Sequence, residues 1–432
     1  MENNSPEGHQ KNSHLRLPRQ VVPPPWFYNP LNGVNRSHPS ASILKDTDRM
    51  TIVQDYQISP SSWNRFEECP RKYWLSRQDL PRKAGMAASL GTAIHNTVED
   101  LCNLDISDRD EQEVGWFQST AREVLERNWK AERREFMETP RHPRWKHEMF
   151  SKAHEGLIGA LGFLFEKAGL PKRDFSEVST QTWRQVQSIV LATEATLESD
   201  CGRLMGRLDL LIIDPDSREG EAGWIVADLK TGRPPRSGLD EKVRRQLLFY
   251  RDLMSQRSPE QKSIIAEGWY SSNETIYVAE GPSILEEAID AWESMKVTED
   301  PFQATPSESA CSFCDWKAWC PDWWVSRSEG LLDGGGTFRD EVTKLVRLDP
   351  DSGAALFERT TPIGNEGSLT GSDYRFGAML KGQALEKIRQ IEMDESEGYL
   401  FLGSVRVDGK IVHMGDWSEI LPWTPFLKSI SD

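Results

Sequence analysis

Three acidic and basic side chains carry the spacing of a catalytic group. Asp209 lies in "GRLDLL", and Asp228 and Lys230 lie two apart in "VADLKTG". Residues at i and i+2 of a strand point to the same face. Asp228 and Lys230 therefore share a face on a run that is otherwise apolar. With the strand of Asp209 paired beside them, two carboxylates and an ammonium converge. Such charges are costly to bury unless they are paired or metal-bound. A hard divalent cation satisfies the carboxylates, and the lysine holds an attacking water or a phosphate oxygen. A structural Asp–Lys pair at a strand end, with Asp209 at an ordinary strand edge, is the plainer reading of each residue alone. His95 and the cysteines tip the balance toward a site.

Cys311, Cys314 and Cys320 are spaced C-x2-C-x5-C, and Cys69 stands 242 positions upstream of Cys311. Four thiolates hold either a [4Fe–4S] cluster or a zinc ion. Zinc sites usually show two close cysteine pairs, whereas here one thiol stands alone. Free thiols in a small core of Phe313, Trp316, Trp319, Trp323 and Trp324 are the remaining reading. Cys102 and Cys201 fit no ligand spacing and read as buried, inert thiols.

The elements that must position these groups follow from pattern. "MAASLGTAIHNTVEDLCNL" carries an apolar stripe at Gly91, Ile94, Val98, Leu101 and Cys102, which predicts a helix over Met86–Leu104 with His95 on its edge. Residues 110–170 read as helical throughout. "QSIVLATEATLES" alternates and predicts a strand that includes Glu194, a further acidic candidate. "GRLMGRLDLLIID" and "WIVADLKTG" predict two more strands. "EKVRRQLLFYRDLMSQ" is an amphipathic helix, and "IIAEGWYS" and "ETIYVAE" supply further strands. The order is that of a mixed α/β core. Beyond three consecutive glycines, Gly334–Gly336, strands are expected near "TKLVRLDP", "AALFERTT" and "GSLTGSDY", then a helix over Phe376–Ile391. Two last strands, "YLFLGSVRV" and "KIVHMGD", meet at an Asp408–Gly409 turn. Five strands with a helix between the third and fourth suit a small closed barrel of the oligonucleotide-binding (OB) type.

The predicted organisation is a disordered tail over 1–48, a catalytic domain over 49–328 with a helical insertion at about 105–180, a Gly-rich linker at 329–338 and an OB-like β domain over 339–432. The chain has 432 residues, 52 Lys or Arg against 68 Asp or Glu, and a net charge of −16. That balance argues against a protein that coats nucleic acid by charge. Between Cys201 and Tyr250, however, nine basic residues meet eight acidic ones. No run of about 20 apolar residues is present, and the N-terminus lacks the apolar region of a secretion signal. Both observations point to a cytoplasmic protein without a membrane span, in which clustered thiols more often hold metal than form disulfides.

Six stretches, in order, resemble one family: "SPSSWNRFEECPRKYW", "LGTAIHNTVE", "GRLDLL", "IVADLKTG", "RRQLLFYRDLM" and "CSFCDWKAWC". They resemble the PD-(D/E)XK nuclease superfamily, and more closely its RecB-like branch, which includes CRISPR-associated adaptation nucleases and AddB-type iron–sulfur nucleases. The resemblance implies an α/β fold with a restriction-endonuclease-like mixed sheet flanked by helices. It implies that His95, Asp209, Asp228 and the Leu229 carbonyl bind a catalytic Mg²⁺ or Mn²⁺, the imidazole tilting preference toward Mn²⁺. Lys230 would orient or activate water, and Gln246 and Tyr250, four apart on one helix face, would pack by the site and touch the substrate backbone. A purely core role suits Tyr250 as well. The resemblance also implies a [4Fe–4S] cluster on Cys69, Cys311, Cys314 and Cys320, stapling the ends of the domain. Closing so long a loop costs about 5 kcal/mol of chain entropy. Arg71, Lys72, Arg207, Arg233 and Arg245 are candidate contacts to the DNA backbone, although each alone also reads as a solvated surface charge.

The expected activity is metal-dependent hydrolysis of DNA by an exonuclease acting on single strands or ends, in repair, recombination or defence, with other nuclease, helicase or defence proteins as candidate partners. A non-catalytic iron–sulfur subunit of a larger complex is the alternative, but it usually requires erosion of the core Asp or Lys. A sequence-specific restriction enzyme on the same fold is disfavoured by the cysteine set. In the β domain, Tyr374, Phe376 and Tyr399 are candidates for base stacking or for core filling.

Overall fold

The computed structural model describes residues 56–172, 174–217, 223–258, 263–296, 298–332, 338–363, 368–370, 375–393, 398–408 and 411–424. The tail expected over 1–48 and the glycines Gly334–Gly336 lie outside the described residues.

The chain begins with helices α1 (Pro60–Glu68) and α2 (Pro70–Leu75), each opened by a proline whose missing N–H costs nothing in the first turn. Four longer helices follow: α3 (Met86–Cys102), α4 (Trp116–Glu138), α5 (Phe150–Lys167) and α6 (Thr180–Ile189). The stretch 110–170 is thus two helices with an irregular connection around Pro140 and Pro143, not one continuous run. Next come β1 (Val190–Thr193), β2 (Thr196–Glu198), β3 (Met205–Arg207), β4 (Leu210–Ile213) and β5 (Trp224–Lys230). Helix α7 (Glu241–Arg257) then crosses to β6 (Ile264–Tyr270), followed by β7 (Thr275–Val278) and α8 (Leu285–Ser294).

The central sheet runs β1-β4-β5-β6-β7, with β5 and β6 parallel and the other pairs antiparallel. Alternation sorts its side chains. Leu210, Ile212, Ile225, Ala227 and Leu229 face one way, into a core built with α3–α6. Asp228 and Lys230 therefore face the other way, toward α7, as the two-residue period requires.

Two expected strands are each broken. "QSIVLATEATLES" ends α6, forms β1 and, beyond Glu194, forms β2. "GRLMGRLDLLIID" forms β3 and, beyond Leu208–Asp209, forms β4. β2 and β3 pair only with each other, as a ribbon separate from the main sheet. The chain changes sheets at both breaks. Glu194 makes its corner with φ +49°, a left-handed conformation rare for a residue with a side chain.

Past α9 (Glu308–Cys311) and α10 (Pro321–Ser328), the C-terminal region is a closed five-strand barrel. Its strands are β8 (Phe338–Asp349), β9 (Ala354–Ile363), β11 (Arg375–Leu380), β12 (Tyr399–Asp408) and β13 (Ile411–Met414), paired in the circuit β8-β9-β11-β13-β12-β8. Helix α11 (Gln383–Met393) lies between the third and fourth barrel strands, as in an OB-like fold. The short β10 (Ser368–Thr370) pairs with β9, and β14 (Glu419–Trp423) pairs with β12. The expected helix over Phe376–Ile391 is instead β11 followed by α11. Gly382, at φ +54°, turns the chain between them. "GSLTGSDY" contributes β10 rather than the third barrel strand.

The barrel shares an apolar core with the cysteine-bearing segment. Trp319, Cys320, Trp323 and Trp324 pack with Val342, Phe401, Leu421 and Trp423. The indoles of Trp324 and Trp423 both donate to the Ala318 carbonyl, at 3.1 and 2.9 Å. Arg141, 4% exposed, pairs with Glu419 at 2.8 Å and so ties the helical region to β14. Among the described residues, no helix is long and apolar enough to cross a membrane.

Candidate active site

Four elements deliver charged groups to the C-terminal end of β5. Helix α3 carries His95. One turn earlier stands Gly91, where a Cβ would lie 3.1 Å from Thr231 Oγ1, so the absent side chain lets the helix close on the end of β5. The two sheet-switching corners bring Glu194 and Asp209 together, since the Glu194 N–H donates to the Asp209 carbonyl at 2.9 Å. β5 itself supplies Asp228, Lys230 and the Leu229 backbone.

His95 Nδ1 lies 3.3 Å from Asp209 Oδ1 and 3.8 Å from Glu194 Oε1. Its Nε2 lies 2.9 Å from the Leu229 carbonyl oxygen. Asp209 Oδ2 accepts the Leu229 N–H at 2.6 Å. Ligating atoms of His95, Glu194 and Asp209 all fall within 4.8 Å of one another. One nitrogen and two carboxylate oxygens at that span are a donor set for Mn²⁺ or Mg²⁺. Burial works against a charge on His95, but Asp209, Glu194 and Asp228 outweigh it and push its pKa up to about 10. Without an ion the imidazolium supplies the positive charge among the carboxylates. A ligating imidazole gives up a proton to take that place.

Asp228 is 2% exposed and faces α7. Its Oδ2 lies 2.5 Å from Lys230 Nζ, and its Oδ1 accepts the Gln246 amide at 2.9 Å. Burial, with Asp209 nearby, raises the Asp228 pKa against the pull of Lys230 and His95. Burial also opposes the Lys230 charge, yet Asp228 and Asp209 keep its pKa above the ordinary value. The Asp228 and Asp209 carboxylates thus favour Lys230 as an ammonium, a cation and hydrogen-bond donor. Gln246 is read from both ends: its Oε1 accepts from Lys230 at 2.9 Å, and its Nε2 also donates to the Tyr250 hydroxyl at 3.0 Å. Tyr250 is 6% exposed, and burial raises its pKa. Its ring packs on β3, where a Cβ at Gly206 would come within 2.7 Å of it. In this state Tyr250 braces Gln246 from the core.

The structure thus gathers His95, Asp209, Asp228, Leu229, Lys230, Gln246 and Tyr250, and adds Glu194. In sequence Glu194 is one acidic residue of an alternating stretch; its corner conformation leaves no mark that reading could use.

The candidate DNA contacts are placed differently from one another. Arg71 turns inward, donating to the Phe302 carbonyl at 2.6 Å and pairing with Asp322 at 3.2 Å. Lys72 pairs with Glu68 at 2.8 Å. Arg245 donates to Asn64 Oδ1 at 2.8 Å and lies 4.7 Å above the Trp63 ring. Arg233 is exposed on the loop after β5, and Arg207 is exposed at the end of β3. In the barrel, Phe376 is buried and stacked on Phe357, Tyr399 lies under Lys344 Nζ at 4.8 Å, and Tyr374 lies outside the described residues.

Cys69, Cys311, Cys314 and Cys320 line one cavity of about 20 Å³, with Lys72, Lys317, Leu75 and Trp323 in its wall. Cys69 and Cys320 stand at equivalent positions, each immediately before the proline that opens α2 or α10. Burial raises the pKa of Cys311, of Cys314 to about 11 and of Cys320 to about 12. Among the described residues, no three of these sulfurs meet within the 4.8 Å span that His95, Glu194 and Asp209 satisfy. Cys102 is buried as expected. Cys201 is exposed, because it sits at the tip of the β2–β3 ribbon, and its pKa is lowered: Ser199 and Arg203 outweigh its slight burial.

A family model described as the PD-(D/E)XK nuclease superfamily matches residues 57–321, more than half of the chain, a span that takes in His95, Glu194, Asp209, Asp228, Lys230, Gln246, Tyr250 and the four cysteines of the cavity. The chain belongs to the PD-(D/E)XK nuclease superfamily. It is, as that membership implies, a metal-dependent nuclease, and its mixed sheet with flanking helices is the superfamily core. A comparison with curated proteins finds no match.

Proposed function

We propose that this PD-(D/E)XK nuclease is a RecB-like DNA exonuclease acting on single strands or ends, in the cytoplasm, in repair, recombination or defence. The observation that carries the reading is the convergence of His95, Glu194 and Asp209 beside the Asp228–Lys230–Gln246 network. The three former residues and the Leu229 carbonyl would hold Mg²⁺ or Mn²⁺, with Asp228 alongside. Bound there, the ion supplies a water of lowered pKa and neutralises phosphate charge. The chain's own groups do the rest. Lys230, held protonated by Asp228, donates to the water or to a phosphate oxygen, and Gln246 fixes the direction of that ammonium. Asp209, anchored by the Leu229 N–H, keeps one oxygen for the ion.

The exonuclease and single-strand parts of the proposal rest on the six motifs in order and on the OB-like barrel, a type of fold that binds oligonucleotides. In this reading residues 49–328 are the nuclease domain with its helical insertion at about 105–180, 329–338 the linker and 339–432 the nucleic-acid-binding barrel. The cysteine cavity would hold a [4Fe–4S] cluster. Four thiols on one cavity supply the ligands. One thiol far upstream of the other three, rather than two close pairs, favours a polynuclear centre over zinc. Helicase, nuclease or defence proteins are proposed partners.

The test is cleavage of end-labelled single- and double-stranded DNA by cluster-containing protein, with Mg²⁺ or Mn²⁺. Mononucleotides or short products released progressively from an end are expected. Asp228→Ala and Lys230→Ala should abolish cleavage and leave DNA binding largely intact. Full activity in Lys230→Ala would remove the mechanism.

A further inference from the structure

Charge balance at the mouth of the site singles out a group beyond the metal ligands and Lys230. Beside Glu99, whose ionisation burial and Glu194 oppose although Arg207 favours it, Glu194, Asp209 and Asp228 bring three negative charges. A divalent ion and Lys230 just match them once His95 is neutral. A phosphodiester then arrives with a further negative charge. Hydrolysis adds to it as the bond from water oxygen to phosphorus forms, the bond to the leaving sugar oxygen breaks, and the water proton passes to that oxygen.

Among the described residues, two exposed arginines stand near this end of the sheet: Arg233, on the loop after β5, and Arg207, at the corner beside Glu194. Arg207 ends β3, two residues before Asp209, at the corner shared with Glu194. Its Nε lies 2.7 Å from Glu194 Oε2, while the other carboxylate oxygen of Glu194 faces His95. The side chain is nevertheless 59% exposed, so a guanidinium tied by one nitrogen still reaches solvent. The neighbouring candidates differ. Lys230 is committed to Asp228 and Gln246, and Arg71 and Lys72 are committed to Asp322 and Glu68.

We infer that Arg207 receives the scissile phosphate: its remaining guanidinium nitrogens bind the non-bridging oxygens while Nε stays on Glu194. A planar fork suits phosphate in a way that a lysine point charge does not. The inference rests on the nuclease reading above.

The experiment compares wild type, Arg207→Ala and Arg207→Lys in three measurements. These are single-turnover cleavage of an end-labelled DNA strand in Mn²⁺, the salt dependence of binding to that strand by fluorescence anisotropy, and Mn²⁺ titration. Arg207→Ala should slow cleavage about 100-fold or more, and Arg207→Lys should recover roughly tenfold of it. The slope of log affinity against log salt should fall by about 0.7 on loss of one phosphate contact. Mn²⁺ affinity should not weaken, because a competing cation has left Glu194. Arg207→Ala cleaving within about threefold of wild type would overturn the inference. So would parallel loss of cleavage and Mn²⁺ binding, the signature of a merely structural tie. If Arg207→Ala fails to fold, the same comparison is read from Arg207→Lys and Arg207→Gln. Wild type inert in both Mg²⁺ and Mn²⁺ is a different failure, that of the nuclease reading itself, and removes this inference with it.

Discussion

The Glu194 N–H donates to the Asp209 carbonyl at 2.9 Å, and the side chains of the same two residues meet at His95. One backbone bond thus locks two chain corners, each of which presents a carboxylate. Left-handed backbone at a residue with a Cβ costs on the order of 1 kcal/mol or more and persists where surrounding structure imposes it. Here it aims a metal ligand. Glu194→Gln should raise the Mn²⁺ concentration for half-maximal cleavage by about tenfold to 100-fold, in the range seen when metal-site partners are removed. Unchanged metal dependence would exclude Glu194 from the ion's ligands.

Tyr250 and Gly206 make a second prediction. A Cβ at Gly206 falls 2.7 Å from the Tyr250 ring, closer than real contacts allow. Gly206→Ala should cost about 1–3 kcal/mol of stability, as overpacked cores do, and should lower turnover by shifting the residue that braces Gln246. Urea unfolding and cleavage rate on the same preparation check both. A fully stable, fully active variant would mean that Tyr250 is not wedged as described.

The cysteine cavity predicts a spectroscopic result. Anaerobically purified protein should show visible thiolate-to-iron absorption, and Cys69→Ser or Cys320→Ser should lose it. The variants should also be cleaved faster by protease, because α2 and α10 are no longer tied through one centre. Colourless protein carrying one equivalent of zinc would replace the cluster with a metal staple.

A pH effect is expected from Glu132, which is 8% exposed on α4. Burial and Glu135 raise its pKa to about 7, against a hydrogen bond from Ser89. The folded protein therefore holds this proton after the unfolded chain has released it. Stability falls as pH rises from about 4.5 to about 7, and the loss is complete above that window. Glu132→Gln should remove this loss. Its melting temperature relative to wild type should rise between about pH 5 and pH 8, and a constant difference across that range would contradict the assignment.

Much of this site is legible without coordinates. The two-residue period in "VADLKTG" places Asp228 and Lys230 on one face, and the four-residue period places Gln246 above Tyr250. The illegible parts have physical causes. "LATEATL" keeps its alternation through a corner, since nothing at Glu194 signals φ > 0, so one strand is read where there are two. In the barrel, Phe376, Met379, Leu380, Ala384 and Ile391 form a helix-like stripe that runs across the turn at Gly382, so β11 is read as helix. β14 is missed because Pro422 speaks against a strand, although an edge strand tolerates it. The inward turn of Arg71 is likewise invisible, because its partners Phe302 and Asp322 lie more than 200 positions away.

The central claim is that His95, Glu194 and Asp209 hold a divalent cation next to Asp228. Titration of the protein with Mn²⁺, followed by electron paramagnetic resonance, addresses it without relying on cleavage. Wild type should take up Mn²⁺ at this site, and His95→Ala and Asp209→Asn should each weaken that uptake at least tenfold while keeping the folded spectrum. Equal Mn²⁺ binding by wild type and both variants would contradict the account.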